Sequence, residues 1–463
     1  MKNINNTLCK KNLHRDCIIN IFTYFSVTTT LNRVELFMRM KIQNFSKQVN
    51  PFSGISIVNH HFNKSGLSDL IDQELGQRVK YAGYQYSEII RNLSNVFHSG
   101  GDAIEDINAH FGEHLKSIPG NNVPSADTVL RALKELSTKN KVYTSDSGIT
   151  YNFNINEKLN RLNIKSLKLT HQLQSGESYD FDYDNQINAN NKWDAKNTYK
   201  KNKGYFPGIA TIGNKIVGVE NRDGNANVKF KQEETLERFY TLLGLEGIAI
   251  NRSRMDAGSY SKKIIEVVDK HSKLFYIRAN KSADLFEQIN AVTSWEEVEI
   301  NYINYEVASI PFTQFYQDRN YRLVIMREKS TDAQIDMFTG DTYTYRSILT
   351  NDHESTEKEV IEFYNARGAS EKIFDEMNND FGWKHLPFSF LNENNSFMII
   401  TAMIKNFYNY FIGLVAEKFD NINPTTRLKR FVFRFITVAG KWAYQGRQWI
   451  LKLYTKRPYY QLV

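Results

Sequence analysis

Tyr179-Asp180-Phe181-Asp182-Tyr183-Asp184 alternates aromatic with acidic side chains. That is the period of a β-strand with one apolar and one charged face. Downstream, 206–212 and 215–220 read as two further strands around Gly213-Asn214, a hairpin turn. A helix over 232–243 leads to a strand over 247–255 that ends at Asp256. A second helix over 261–271 carries one apolar stripe of Ile264, Ile265, Val267 and Val268, and a short strand follows at 274–277. Three antiparallel strands, then parallel additions through helices, predict a mixed α/β sheet.

Composition bounds the alternatives. The chain has 463 residues, enough for two to four domains, and 41% hydrophobic content supports real cores. Its 24% charged content excludes disorder of the whole. Two cysteines exclude a disulfide framework and a four-cysteine zinc site. The net charge of +8 favours an anionic partner, nucleic acid being the commonest. The apolar stretch 397–415 carries Lys405, Asn406 and Asn409, which suits a buried or amphipathic helix better than a membrane span.

The flanks differ from the middle. Residues 1–40 hold both cysteines, Cys9 and Cys17, and a basic-then-apolar run without a small-residue cleavage site. Translation starting at Met38 or Met40 is the preferred reading, with a retained tail or a signal peptide as alternatives. Residues 41–150 read as a helical DNA-binding domain: Ile89, Ile90, Leu93 and Val96 recur at helical spacing, and Ser125 is a candidate N-cap after the break at 119–122. Helix-turn-helix contact with DNA and a bundle that only packs both fit. Residues 151–284 hold the first part of the sheet, 285–355 a β-rich insertion with a turn at Thr339-Gly340-Asp341, and 356–463 the completion of the core with basic C-terminal helices.

Three carboxylates stand out. Asp184 and Asp256 end strands, and Glu371 lies on a helix read over 357–378. In one continuous helix Arg367 falls roughly 60° and Glu371 roughly 20° from Tyr364, so one face holds all three. Two strand ends and a helix can present three carboxylates to two Mg²⁺ ions, which prefer oxygen donors and act on phosphodiesters. Arg367 could clamp a phosphate with its planar fork, and Tyr364 could orient one. Plainer roles exist for each: an exposed acidic strand for Asp180, Asp182 and Asp184, a helix cap for Asp256, and a surface pair for Arg367 and Glu371.

Two stretches suit phosphate contact. Residues 421–463 contain no Asp or Glu, yet hold Arg427, Arg430, Arg434 and six further basic residues among aromatics. They are read as an amphipathic helix, cationic on one face and aromatic on the other. Lys196, Lys200, Lys201 and Lys203 form a second basic patch, in a stretch read as a linker.

In order and spacing these motifs resemble the DDE transposases of bacterial insertion sequences. Tyr364, Arg367 and Glu371 match Tyr-x2-Arg-x3-Glu of that superfamily's YREK signature. Arg254-Met255-Asp256-Ala257-Gly258 resembles the second-aspartate segment, and Phe181-Asp182-Tyr183-Asp184 the first-aspartate segment of the group numbered thirteen-eighty. The signature's closing Lys is Asn378 here, with Lys372 or Lys384 as possible substitutes. The resemblance implies an α/β ribonuclease H-like catalytic core interrupted by the β-rich insertion, flanked by an N-terminal helical domain and a C-terminal helical region. It implies Asp184, Asp256 and Glu371 as catalytic metal ligands, with Asp182 the alternative to Asp184, and Mg²⁺ as cofactor, replaceable by Mn²⁺. It implies cut-and-paste transposition on double-stranded DNA by a homodimer, in the bacterial cytoplasm at the nucleoid. Relatives flip a base against an aromatic residue, a role for which Trp295 is the candidate and core packing the alternative. A catalytically silent DNA-binding protein and a nuclease without strand transfer are the competing readings.

Overall fold

The computed structural model describes residues 49–463, apart from 79–82, 317 and 330–341. The N-terminal segment with Cys9, Cys17, Met38 and Met40, and the turn at Thr339-Gly340-Asp341, lie outside the described residues.

The chain opens with helices α1 (Ile55–Lys64), α2 (Leu67–Leu75), α3 (Tyr86–His98), α4 (Gly112–Lys116) and α5 (Ala126–Glu135). Their apolar stripes form one cluster in which Ile90, Leu93, Val96 and Val129 are fully buried. Ser125 caps α5 by accepting the Thr128 amide. The region expected to be helical to residue 150 instead closes with a hairpin, β1 (Lys141–Thr144) and β2 (Thr150–Asn154). Val142, Tyr143, Thr150, Tyr151 and Phe153 are β-formers, and Gly148 at φ 79 turns the chain between the strands.

Helix α6 (Glu157–Leu169) precedes β3 (Ser178–Asn185), then three very short strands, β4 (Asn188–Ala189), β5 (Lys196–Asn197) and β6 (Lys203–Tyr205). The stretch read as a linker is therefore a small sheet of its own, in the order β4-β6-β5. The main sheet continues with β7 (Gly208–Ile212) and β8 (Lys215–Arg222), α7 (Gln232–Leu245), β9 (Ala249–Met255), α8 (Lys262–His271), β10 (Ser272–Arg278) and α9 (Ala283–Asn290). Gly213 at φ 60 makes the hairpin turn where the sequence placed it. Strands β11 (Glu296–Ile300), β12 (Ile303–Phe312), β13 (Tyr321–Lys329) and β14 (Tyr343–Thr350) follow.

These strands make one mixed sheet of 11 strands, ordered β1-β2-β8-β7-β3-β9-β10-β14-β13-β12-β11. Strands β3, β7 and β8 pair antiparallel, and β9 and β10 add in parallel, as the order of elements predicts. The later β-rich segment extends this sheet, because β14 pairs antiparallel with β10.

Beyond the sheet come α10 (Glu357–Asn365), α11 (Ala369–Asp380), α12 (Leu391–Ala416) and α13 (Leu428–Phe431). The single helix expected over 357–378 is broken by a 3-10 turn at Ala366–Gly368; Gly368 is the weakest helix former of the run. The C-terminal helical region is corrected more strongly. After α13 and a π-turn, the chain forms a two-stranded hairpin, β15 (Gly440–Gln445) and β16 (Gln448–Leu453). Gly446 and Arg447 turn it with φ 58 and 63, and Tyr444 faces Trp449 across the strands.

Helix α12, the stretch with Lys405, Asn406 and Asn409, runs through the centre of the largest apolar cluster. Its polar residues have a purpose in the sheet. Strand β8 pairs with β2 over only two residues, so most of its outer edge lacks a strand neighbour. Amides from α6 and α12 take that place. Asn160 accepts from the Val219 amide at 2.8 Å and donates to its carbonyl at 2.9 Å. Asn406 does the same for Ile216 at 3.0 and 2.7 Å, while Asn163 also donates to the Ile216 carbonyl. Asn395 accepts from Asn221 and donates back to Asn154. Lys405 and Asn409 both donate to the Asn214 carbonyl at the hairpin turn. An open edge that would orphan buried peptide groups is thus closed by side chains.

Candidate active site

Strand alternation puts Asp180, Asp182 and Asp184 on one face of β3, while Phe181 and Tyr183 are buried in the second apolar cluster beneath the other. The parallel register with β9 pairs Asp180 with Arg252 and Asp182 with Arg254. The side chains follow that register. Arg252 binds both oxygens of Asp180 at 2.8 and 2.5 Å. Arg254 binds both oxygens of Asp182 at 2.7 and 2.8 Å and donates to the Phe363 carbonyl. Both guanidinium groups stack on the Phe363 ring, at 3.8 and 4.5 Å, which docks α10 on this face. Asp182 was the alternative metal ligand; its carboxylate is instead buried and fully taken by Arg254.

Asp184 is left without a strand partner of that kind. The register Tyr183 to Met255 brings Asp184 and Asp256 side by side, at the carboxyl ends of neighbouring parallel strands. Burial pushes the Asp184 carboxyl up to about 6; Arg367 opposes this, while the charges of Asp256 and Glu371 add to it. The three sequence-selected carboxylates therefore share one electrostatic neighbourhood. Arg367 Nη2 lies 3.1 Å from Asp184, and its buried Nε has no acceptor among the described residues. The plainer role, a surface pair of Arg367 with Glu371, gives way to this pair: Arg367 lies in the 3-10 turn at Ala366–Gly368 and Glu371 in the helix that follows.

Asp256 does fill the capping role: it accepts the Gly258 amide at 3.0 Å and opens a 3-10 turn. Glu371 is exposed in the first turn of α11. Tyr364, at the end of α10, is largely buried, which raises its pKa; Arg367 and Arg278 counter that, and Asp256 and Asp184 reinforce it. Tyr364, Arg278, Asn365 and Ser347 line a pocket of about 90 Å³ here. Among the described residues no three carboxylate, His or Cys side chains already stand as a metal cluster. Asp184, Asp256 and Glu371 act on one another electrostatically without forming such a cluster, and Arg367 pairs with Asp184. By donor chemistry the three still suit hard divalent ions, and their mutual repulsion is what a cation relieves.

The other selected residues scatter. Asn378 accepts from Asn188 at 3.4 Å. Trp295 packs against the second cluster under the Arg327 guanidinium, 3.9 Å from its ring, and 6.3 Å from Tyr345. Lys200 and Lys201 are exposed on the turn between β5 and β6. Arg427 is bound to Asp375 and Asp380 at 2.6 and 2.7 Å. Arg434 donates to the Asn421 carbonyl, and Arg430 is exposed beside it.

Sequence reasoning missed three groups. Lys229 is near enough for Asp256 to offset the lowering of its pKa by burial. Asn280, its amide oriented by its neighbours, bridges Lys229 Nζ and the Ala257 carbonyl at 2.6 and 3.0 Å. Arg278 ends β10 and lines the same pocket as Tyr364. Only Arg278 carried a signal, its place at the carboxyl end of the next parallel strand, where open α/β sheets put their sites.

No curated protein matches the chain. A cryo-EM structure of the piggyBac transposase synaptic complex with hairpin DNA is similar at 12% identity and a TM-score of 0.39, covering 84% of this chain and 80% of that one. The transposase DDE domain family, group 1, matches residues 39–463. That match takes in nearly the whole polypeptide, and the chain belongs to the DDE transposase family.

Proposed function

We propose that this protein is an active transposase that moves an insertion sequence of the thirteen-eighty group by a cut-and-paste route. In this reading β8-β7-β3-β9-β10 is a ribonuclease H-like core, and β11–β14 are the insertion that interrupts it before Glu371. The observation that carries the proposal is the meeting of Asp184 and Asp256 at adjoining parallel strand ends, with Arg367 on Asp184 and Glu371 close enough to raise its pKa. A protein that only binds DNA has no use for such a cluster, since crowding like charges is costly.

Asp184, Asp256 and Glu371 would hold Mg²⁺ or Mn²⁺, which supplies activation of the attacking hydroxyl and stabilisation of the leaving oxygen. Arg367, with its orphaned Nε, would hold the scissile phosphate, and Tyr364 would orient the strand beside it. Lys229 and Arg278 add positive charge around the same phosphate. Two such chains would hold the two ends of the element, with the exposed basic residues Lys200, Lys201 and Arg430 on the backbone.

The test is incubation of the protein with a duplex carrying the element's own end, with Mg²⁺ or with EDTA. Mg²⁺-dependent nicks at the end, lost by at least about 100-fold in Asp256→Asn, are expected. Binding without nicks would favour the silent DNA-binding reading. Nicks without joining to target DNA would favour the nuclease.

A further inference from the structure

The small sheet β4-β6-β5 leaves β3 just after Asp184 and returns into β7, whose Ile209 pairs with Asp184. Its backbone is firmly held. Asn188 donates to the Trp383 carbonyl at 2.9 Å, and the Trp193 amide to the Ser389 carbonyl at 3.1 Å. Asp194, the one acidic residue between 186 and 207, accepts from the buried Tyr205 hydroxyl and from the Leu391 amide. Gly204 lies so close to Asn188 that a Cβ would clash with its carbonyl oxygen.

From this fixed frame two large rings stand out into solvent. Trp193 is 84% exposed and Tyr199 75%. Around them the same 12-residue stretch, 192–203, carries Lys192, Lys196, Lys200, Lys201 and Lys203. Asp194 is already committed, and Asp223 lies near Lys196 alone. A fixed backbone that displays exposed aromatic rings among lysines fits one chemistry well. Unpaired nucleotides offer phosphates to the lysines and free base faces to the rings. Paired DNA would need only the lysines, because its bases are already stacked.

We propose that Trp193 and Tyr199 are a stacking platform for unpaired nucleotides of DNA, next to the carboxyl end of β3. The proposal rests on the transposase reading for its biological setting, and on the exposed rings for its chemistry. It adds positioning residues that the three-carboxylate pattern does not contain.

Binding of the full chain, with EDTA to prevent cleavage, is measured by fluorescence anisotropy on two labelled DNAs. One is a blunt end duplex; the other is the same duplex with a short thymidine overhang. The wild type is expected to bind the overhang form more tightly. Trp193→Ala and Tyr199→Ala should each lose about tenfold on the overhang form while blunt binding stays within about twofold. Trp193→Phe, which keeps a ring, should restore most of the loss. Equal losses on both DNAs, or no loss on either, would overturn the proposal. If neither DNA binds, the platform and the transposase reading fall together. If the overhang effect holds but Mg²⁺ produces no nicks, the platform stands and the catalytic reading fails.

Discussion

The main sheet buries polar groups in several places, and two of them are handled in opposite ways. At the outer edge of β8, neutral amides from Asn160, Asn163 and Asn406 pair with peptide groups in a closed network. At the carboxyl ends of β3 and β9, formal charges are crowded together, and the matching is incomplete. Asp180 and Asp182 are each neutralised by an arginine across the register, but Asp184 shares Arg367 with a repelling neighbourhood. Satisfied polar groups there define architecture; the unsatisfied remainder marks chemistry.

This contrast can be broken at several points. The largest effect is expected at Asp182. Asp182→Asn removes the charge from a buried pair and strands Arg254, so chemical denaturation should show a loss of about 3–5 kcal/mol. A loss under about 1 kcal/mol would mean that the pair is not a structural lock.

Lys405 sharpens the picture through pH. Burial lowers its pKa from 10.5 to about 8, opposed by Glu376 at 3.6 Å. Between these values the folded chain has lost the proton and the unfolded chain keeps it. Stability from this group therefore rises as pH climbs from about 8 to 10.5, by about 3 kcal/mol. The difference between wild type and Lys405→Met should show that slope, with Met the more stable form at neutral pH. A flat difference would mean that the ammonium is well solvated.

Asn406→Leu should cost about 2 kcal/mol, because it orphans the Ile216 amide while Asn163 still serves the carbonyl. The urea midpoint should fall with an unchanged slope. A neutral effect would remove the amide edge from the account of the fold. The smallest effect is expected at the surface. Reversing Arg430 and Arg434 to Glu should flatten the salt dependence of end-DNA binding by about one unit for each phosphate that is no longer neutralised. An unchanged slope would take that surface out of the DNA path.

The two regions also differ in how far they could be read from sequence. The aromatic-acidic alternation at 179–184, the turn at Gly213-Asn214 and the stripe of Ile264 and Val268 were local signals, and the strand and helix order followed from them. Asp184, Asp256, Tyr364, Arg367 and Glu371 were legible by type and spacing. The pairing of Arg367 with Asp184 was not, because it depends on a helix break at Ala366–Gly368 and on a contact between residues 183 positions apart in the chain. The amide edge was illegible for a different reason: an Asn in a helix reads as solvated until the strand it serves is in view. The C-terminal hairpin was missed because basic and aromatic residues suit either period, and Gly446-Arg447 was the one cue against a helix. Strands of two or three residues at 188–205 leave no period to detect at all.

In the proposed function, one carboxylate on the charged face of β3 is catalytic while its neighbours are structural. The direct measurement is the Mg²⁺-dependent nicking rate of end DNA for Asp180→Asn and Asp184→Asn, each verified as folded by circular dichroism. A loss of at least about 100-fold is expected for Asp184→Asn and a change within about twofold for Asp180→Asn. An active Asp184→Asn enzyme, or equal losses in the two variants, would contradict it.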